Sequence, residues 1–273
     1  MPMSPLSAER LRLQQRIPYQ RSLGLEILSW GGGKALVRMP CSSRIRARHM
    51  PPQVDRLALV GLLDQGLSDA LCGGLPADVG ISTIELQAQF PAVDKLEGDL
   101  ILDAEILFLD NSCAGLRANV KAEDGSVVAL GSALFRLGQF PTAAALLSDD
   151  VAGFDPSPLA GPLDELLGIE DHMDGLALRA DNPAIIGWEA GKILHGGAVA
   201  ALLMAGCEKM SQPEQRLSSL TVQYLRPASG DRRLSCRATV LRSGRAASFL
   251  VAECAHDETG LVATASAVFT SRM

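Results

Sequence analysis

The sequence predicts an α+β chain of two similar units in tandem, on three observations. The order of elements, a strand hairpin, a long apolar helix and a meander of four strands, occurs twice. Matching segments recur at matching spacings: Gly131-Ser132-Ala133-Leu134-Phe135 returns as Ala265-Ser266-Ala267-Val268-Phe269, 134 residues on. Residues 141–162 turn to Ala, Pro, Asp and Ser, the composition of a linker. Order and spacing recurring together indicate an internal repeat rather than two unrelated domains. The expected division is a first unit over 1–140, a linker over 141–162 and a second unit over 163–273.

Residues 1–17 read as a polar, partly helical lead-in. Residues 23–30, Gly31-Gly32-Gly33 and residues 34–39 read as strand, turn and strand. A polar, proline-bearing loop over 40–56 reaches Asp55, a residue type that caps helices. The helix behind it carries Leu57 to Leu71 (LALVGLLDQGLSDAL), runs to about Cys72 and stops at Gly73-Gly74 before Pro76. Strands come next at 82–90, 99–109, 113–121 and 126–136. Past the linker the order restarts. Leu167-Gly168-Ile169 repeats Leu23-Gly24-Leu25, and Leu176-Ala177-Leu178-Arg179 repeats Ala35-Leu36-Val37-Arg38. A helix at 195–210 answers the one at 55–72, and a strand at 217–225 answers 82–90.

Composition narrows the function. Hydrophobic residues make up 47% of the chain, enough to fill a core. A net charge of −6 with 4% aromatic residues leaves neither a basic stripe for phosphates nor platforms for stacked bases, so a nucleic-acid partner is not expected. The six cysteines form no CxxC pair and sit among apolar residues, which reads as buried thiols. The histidines are scattered, so no metal site is expected. No apolar run approaches ~18 residues, and the first residues lack an apolar signal core. A cytoplasmic protein with no membrane contact is the expectation.

The chemistry gathers around Leu194-His195-Gly196-Gly197-Ala198-Val199, a glycine turn opening an apolar helix. With Ser219-Leu220-Thr221-Val222-Gln223-Tyr224-Leu225-Arg226-Pro227 on the next strand, it resembles the hotdog-fold acyl-CoA thioesterases of the phenylacetate-degradation and 4-hydroxybenzoyl-CoA type. The resemblance covers nearly all of both halves. It implies a double hotdog: two units in tandem, each an antiparallel sheet wrapped around a long central helix, paired with helices antiparallel. It also implies a homodimer of such chains, and no cofactor beyond the coenzyme A of the acyl-CoA substrate.

In that family the first glycine after the histidine offers its backbone N–H to the thioester carbonyl. A carboxylate nine positions after the histidine, from the other unit, acts as nucleophile or general base. On this sequence the glycine is Gly196, with Gly197 next to it, and the nine-residue position is Asp64 in the first half and Met204 in the second. The first half carries Asp55-Arg56-Leu57 where the second has the His-Gly-Gly turn, so each half lacks what the other keeps. Nine helical residues span about 13 Å, so an acid at mid-helix cannot reach a carbonyl held at its own N-terminus but can reach one held by an antiparallel neighbour. The expectation is one composite site per chain, built from Asp64 and Gly196, with a vestigial partner.

Asp64 is expected to take a proton from water or to attack the carbonyl, and His195 to fix the turn. Glu189 stands six positions before the histidine, where the family usually has Asn and orients water or acyl group. Ser82 and Thr83 are candidate hydroxyls lining the pocket, and Arg226, Arg242 and Arg245 candidate holders of coenzyme A phosphates. The competing reading is a non-catalytic acyl-CoA-binding protein of the same fold.

Overall fold

Alternation of buried and exposed side chains sorts most of the chain into strands. In β2 (Lys34–Met39), Ala35, Val37 and Met39 point into the core and the residues between point away. The structure is a computed structural model. It describes residues 14, 17–40, 55–76, 79–92, 98–138, 163–173, 175–188, 192–257 and 260–272. The expected linker at 141–162, the candidate Glu189, and His49 and Cys41 lie outside the described residues.

The first half contains α1 (Pro18–Ser22), β1 (Glu26–Gly31), β2, α2 (Arg56–Gly74), β3 (Gly80–Gln89), β4 (Leu100–Leu109), β5 (Cys113–Lys121) and β6 (Val127–Gly138). The second contains α3 (Leu163–Leu167), β7 (Ile169–His172), β8 (Gly175–Leu178), β9 (Ile186–Trp188), β10 (Ile193–Leu194) and α4 (Gly196–Met210). It ends with β11 (Gln215–Tyr224), β12 (Leu234–Arg242), β13 (Ala247–His256) and β14 (Gly260–Ser271). Each long element begins and ends within a few residues of its predicted bounds.

Twelve strands form one sheet in the order β1-β2-β4-β5-β6-β3-β11-β14-β13-β12-β8-β7, and β9 pairs with β10 apart from it. The order reads the same from either end once β1–β6 are exchanged for the strands of the second half. Registers repeat as well. Gln87 faces Ser132 as Thr221 faces Ser266. Leu116 faces Ala133 as Leu250 faces Ala267, and Ala104 faces Ala118 as Ala238 faces Ala252. The β-bulge between Ile106 and Phe108 recurs between Val240 and Arg242, again at the 134-residue shift. Bulges are local insertions that bend a strand, so a shared bulge pattern means a shared curvature. The seam between the halves is β3 against β11, where Gln87 pairs with its own counterpart Thr221.

One sequence match needs correcting. Cys236 pairs with Leu176 as Leu102 pairs with Val37, so Leu176 answers Val37 rather than Ala35. The offset is two residues, which leaves every side chain on its predicted face and therefore leaves no trace in the hydrophobic pattern. The Gly24 and Gly168 match stands, and both residues adopt left-handed backbone, φ 67° and 69°, which favours glycine.

Helix α2 is buried nearly all round, from Leu57 to Cys72 with Ser68 the half-open exception. The sheet covers one side and α4 the other. A helix covered on every side is apolar on every side, which explains why its sequence shows no amphipathic stripe. Polar residues within it are therefore conspicuous: Asp64, Gln65 and Asp69 are each 2% exposed or less.

Candidate active site

Two helix starts frame the interior. Asp55 caps α2, its Oδ1 accepting the Leu57 N–H at 2.8 Å. His195 caps α4, its Nδ1 accepting the Gly197 N–H at 3.0 Å. The N–H groups of a first helical turn have no partner within the helix. In α4, Gly197 is satisfied by the His195 ring, and Ala198 and Val199 by the His195 carbonyl. Among the described residues the Gly196 N–H has no acceptor. It is an open donor at the positive end of a fifteen-residue helix.

Asp64 of α2 lies against this turn. A Cβ built on Gly196 would stand 2.8 Å from Asp64 Oδ2, and one on Gly197 would stand 3.0 Å from the Cα of Gly61 in α2. A side chain at 196 would displace the Asp64 carboxylate, and one at 197 would press on the backbone of α2, so glycine gives both positions their close contact. Asp64 Oδ1 accepts the Thr83 hydroxyl at 3.0 Å, from the strand next after α2. Asp64 Oδ2 lies 3.2 Å from His195 Nδ1. Thus Asp64, Thr83, His195, Gly196 and Gly197 are brought together, the first two from one half and the last three from the other.

Sequence reasoning missed the surrounding supports. Tyr19 of α1 stacks on the His195 ring with centroids 4.3 Å apart and planes 17° from parallel. Gln65 Oε1 lies 2.8 Å from His195 Nε2, and Gln65 Nε2 donates to Asp69 Oδ1 at 2.8 Å. The Tyr224 hydroxyl donates to the Gly196 carbonyl at 3.0 Å, pinning the peptide just past the open amide. Burial and the nearby Asp64 push the Tyr19 phenol up, and the same causes act on Tyr224, so both hydroxyls stay protonated and that of Tyr224 remains a donor. Burial holds the His195 ring below its usual range although Asp64 pulls the other way. Gln65 and Asp69, one helical turn apart in an apolar helix, were the available sequence signal. Tyr19 had none, since its partner lies far along the chain.

The other candidates fall elsewhere. Ser82 alternates with Thr83 along β3 and takes no part in the bonds around Asp64. The three arginines do not form one group. Arg226 lies just past the Tyr224 end of β11, beside the site. Arg242 and the turn bearing Arg245 sit at the Gln215 end, where the Gln215 amide donates to the Gly244 carbonyl at 2.8 Å. β11 is ten residues long, so about 30 Å separates the two ends. Among the described residues no group of His, Cys, Asp or Glu is arranged to hold a metal ion, and no helix is long and apolar enough to cross a membrane.

The mirror position holds different residues. Arg56 and Leu57 replace the glycines, fully buried Met204 stands in the place of Asp64, and buried Leu217 in the place of Thr83. Half-buried Glu208, one turn past Met204, has its carboxyl pushed up by burial, with Arg56 and Arg272 opposing.

Residues 185–270 match the family model described as the acyl-CoA thioesterase N-terminal domain, although they lie in the second half of this chain. No curated protein matches the sequence. Among solved structures, the acyl-CoA thioesterase II of Mycobacterium marinum is similar over 93% of this chain and 96% of its own, at 16% identity and a TM-score of 0.56. An acyl-ACP thioesterase from Bacteroides thetaiotaomicron is similar over 87% and 98%, at 8% identity and TM-score 0.59. A protein of unknown function with the hotdog fold from Alicyclobacillus acidocaldarius is similar over 93% and 98%, at 14% identity and TM-score 0.59. At such identities the likeness is one of architecture: the chain has the hotdog fold, and its second half carries the thioesterase-type match.

Proposed function

We infer that the protein hydrolyses an acyl-CoA thioester to a carboxylic acid and coenzyme A, at one composite site per chain between two fused hotdog units. The observation that carries this reading is the 2.8 Å approach of the Asp64 carboxylate to the space over Gly196, across the boundary between the halves. The mirrored registers support the fused pair, with units over 1–140 and 163–273. The thioesterase-type match over 185–270 supports the class of reaction.

In this reading the Gly196 N–H, at the positive end of α4, meets the negative charge that builds on the carbonyl oxygen as water adds. Losing one such donor typically costs about 10²–10³ in rate. Asp64 takes the proton from the attacking water. Its Oδ1 accepts the Thr83 hydroxyl, which holds the carboxylate in place and favours a fixed base over one that swings in to attack. The tetrahedral intermediate then expels the coenzyme A thiolate, which leaves with the proton Asp64 had taken. Arg226, at the site end of β11, is the arginine suited to the coenzyme A phosphates. The reading carries with it a homodimer of chains and a cytoplasmic place of action, to be checked by sedimentation and fractionation.

The test is free-thiol release from a panel of acyl-CoAs by wild type and Asp64→Asn, with circular dichroism to confirm folding. Loss of a positioned base predicts a fall of about 10²–10⁴-fold in kcat. Tight binding of acyl-CoA by both forms, with turnover by neither, would replace the hydrolase with a non-catalytic acyl-CoA-binding protein.

A further inference from the structure

We propose that Gln65 and Asp69 are positioning residues that hold the His195 ring in its Nε2–H tautomer, keeping the Nδ1 lone pair on the Gly197 amide and a ring proton out of the gap to Asp64. The kinetic consequence rests on the hydrolase reading; the tautomer does not.

A neutral imidazole carries one N–H, and two neighbours compete to decide where it sits. Asp64 Oδ2, 3.2 Å from Nδ1, is an acceptor and favours a proton there. The Gly197 N–H, 3.0 Å from the same nitrogen, is a donor and favours a lone pair. If the proton moved to Nδ1, two donors would face each other at the start of α4 and the cap would be lost. The far side of the ring breaks the tie. Gln65 Oε1 lies 2.8 Å from Nε2, so an acceptor waits there for the proton.

That argument needs the Gln65 amide to present oxygen rather than nitrogen to the ring, and amide orientation is read from its partners. The other end of the amide faces Asp69 Oδ1 at 2.8 Å and Gln14 Oε1 at 3.3 Å. Both are acceptors, so the NH₂ group must point to them and the oxygen to His195. Asp69 is fully buried, and the Trp30 indole N–H donates to its backbone carbonyl at 2.8 Å. Its Oδ2 has no partner among the described residues. Burial pushes its carboxyl up to about 7. With a proton on Oδ2, Oδ1 still accepts from Gln65, so the orientation survives either charge state. Tyr19 stacked on the ring limits its tilt. The chain of control runs Asp69, Gln65, His195, Gly197. Its product is a carboxylate not already bonded to a ring N–H, and so free to accept the proton of water.

Long-range ¹H–¹⁵N correlation of ¹⁵N-labelled protein reads the tautomer directly, with the His195 signals identified by their loss in His195→Asn. Wild type at pH 7 is expected to show the Nε2–H form. Gln65→Leu, and Gln65→Asn, which draws the amide back from the ring, should shift the ring toward the Nδ1–H form and lower kcat about tenfold or more with KM little changed. Asp69→Leu should do the same, and Asp69→Asn, which keeps an acceptor oxygen, should restore the wild-type pattern. An Nδ1–H or imidazolium ring in wild type would overturn the proposal. So would a ring pattern unmoved in whichever Gln65 variant folds. If no acyl-CoA is hydrolysed, the spectra still decide the tautomer, so the two readings fail separately.

Discussion

The starts of α2 and α4 are the same piece of architecture put to two uses. Each is capped by a side chain that accepts the N–H two residues on, each packs against the other helix, and each sits under a six-strand half of one sheet. They differ in the two residues behind the cap and in the side chains opposite it. After His195 come two glycines, the first against Asp64, whose Oδ1 accepts the Thr83 hydroxyl, and the second against Gly61. After Asp55 come Arg56 and Leu57, and buried Met204 and Leu217 hold the positions equivalent to Asp64 and Thr83. The fold does not by itself produce a reactive centre. It provides two equivalent places, and the residues at four side-chain positions make one of them polar and the other apolar apart from Arg56. The cores differ in a similar way. Leu67, Leu102 and Val120 fill the first half where Cys207, Cys236 and Cys254 fill the second, and Leu102 pairs with Val120 as Cys236 pairs with Cys254. Thiols act there as small apolar groups.

The largest effect is expected from giving the apolar place an acid. Met204→Asp puts a carboxylate at a position with no exposure and no donor of the Thr83 kind. Arg56, whose charge already acts on Glu208 one turn away, offsets only part of the desolvation cost, and a buried ion without its full set of hydrogen bonds typically costs about 3–5 kcal/mol. The variant should lose about that much stability at pH 8 in urea melts, and less at pH 5, where the carboxyl can be protonated. In an Asp64→Asn background it should restore no thiol release. Recovery of turnover there would mean that the α2 start can hold a thioester without glycine, and the contrast between the two places would collapse.

The two caps should also respond to pH with opposite signs. Burial pushes the Asp55 carboxyl from 3.8 up to about 7, outweighing the Leu57 N–H that favours its charge. A carboxyl with a raised folded value holds its proton in the folded state while the unfolded chain releases it. Its contribution is complete below about pH 4 and is lost as pH rises toward 7. The His195 ring is shifted the other way, so its contribution is complete above its unfolded value of 6.5 and is lost as pH falls below that. Asp55→Asn keeps a capping oxygen and has no proton to hold. It should flatten the decline between pH 4 and 7 and gain about 2–3 kcal/mol at pH 8, allowing for the partial exposure of Asp55. Parallel stability curves for the two proteins would show that the α2 cap is not titrating in this window.

Much of this was legible in the sequence, for physical reasons that also explain what was not. Period-two alternation and glycine punctuation announced the strands, and the 134-residue shift announced the matching strand order of the two halves. The approach of Asp64 to Gly196 was implied by the family resemblance, and helix length agreed with a pairing across the two halves. Hidden from the sequence were contacts that depend on how distant segments meet. Tyr19 sits in a five-residue helix just past the polar lead-in, and nothing local signals a ring 176 positions away. The arginines were grouped because each lies near a strand end. Strand ends alternate between opposite edges of an antiparallel sheet, and sequence order alone did not separate Arg226 from Arg242 and Arg245.

The smallest expected effect on stability is also the sharpest probe of the polar place. Gly196→Ala adds one methyl group 2.8 Å from Asp64 Oδ2, closer than such contacts allow, so the carboxylate must move. Alanine favours helix over glycine by up to about 1 kcal/mol at interior positions, which works against the strain, so stability should change little. Rate should not be spared. A shift of order an ångström at a reacting group can cost about 10²-fold, equivalent to about 2.7 kcal/mol. Arg56→Ala, the matching change at α2, should leave kcat within about twofold. Comparing kcat for the two alanine variants on one acyl-CoA isolates the role of the turn from that of the helix. Equal losses at both would show that α2 and α4 contribute alike, and the asymmetry would belong to packing rather than to catalysis.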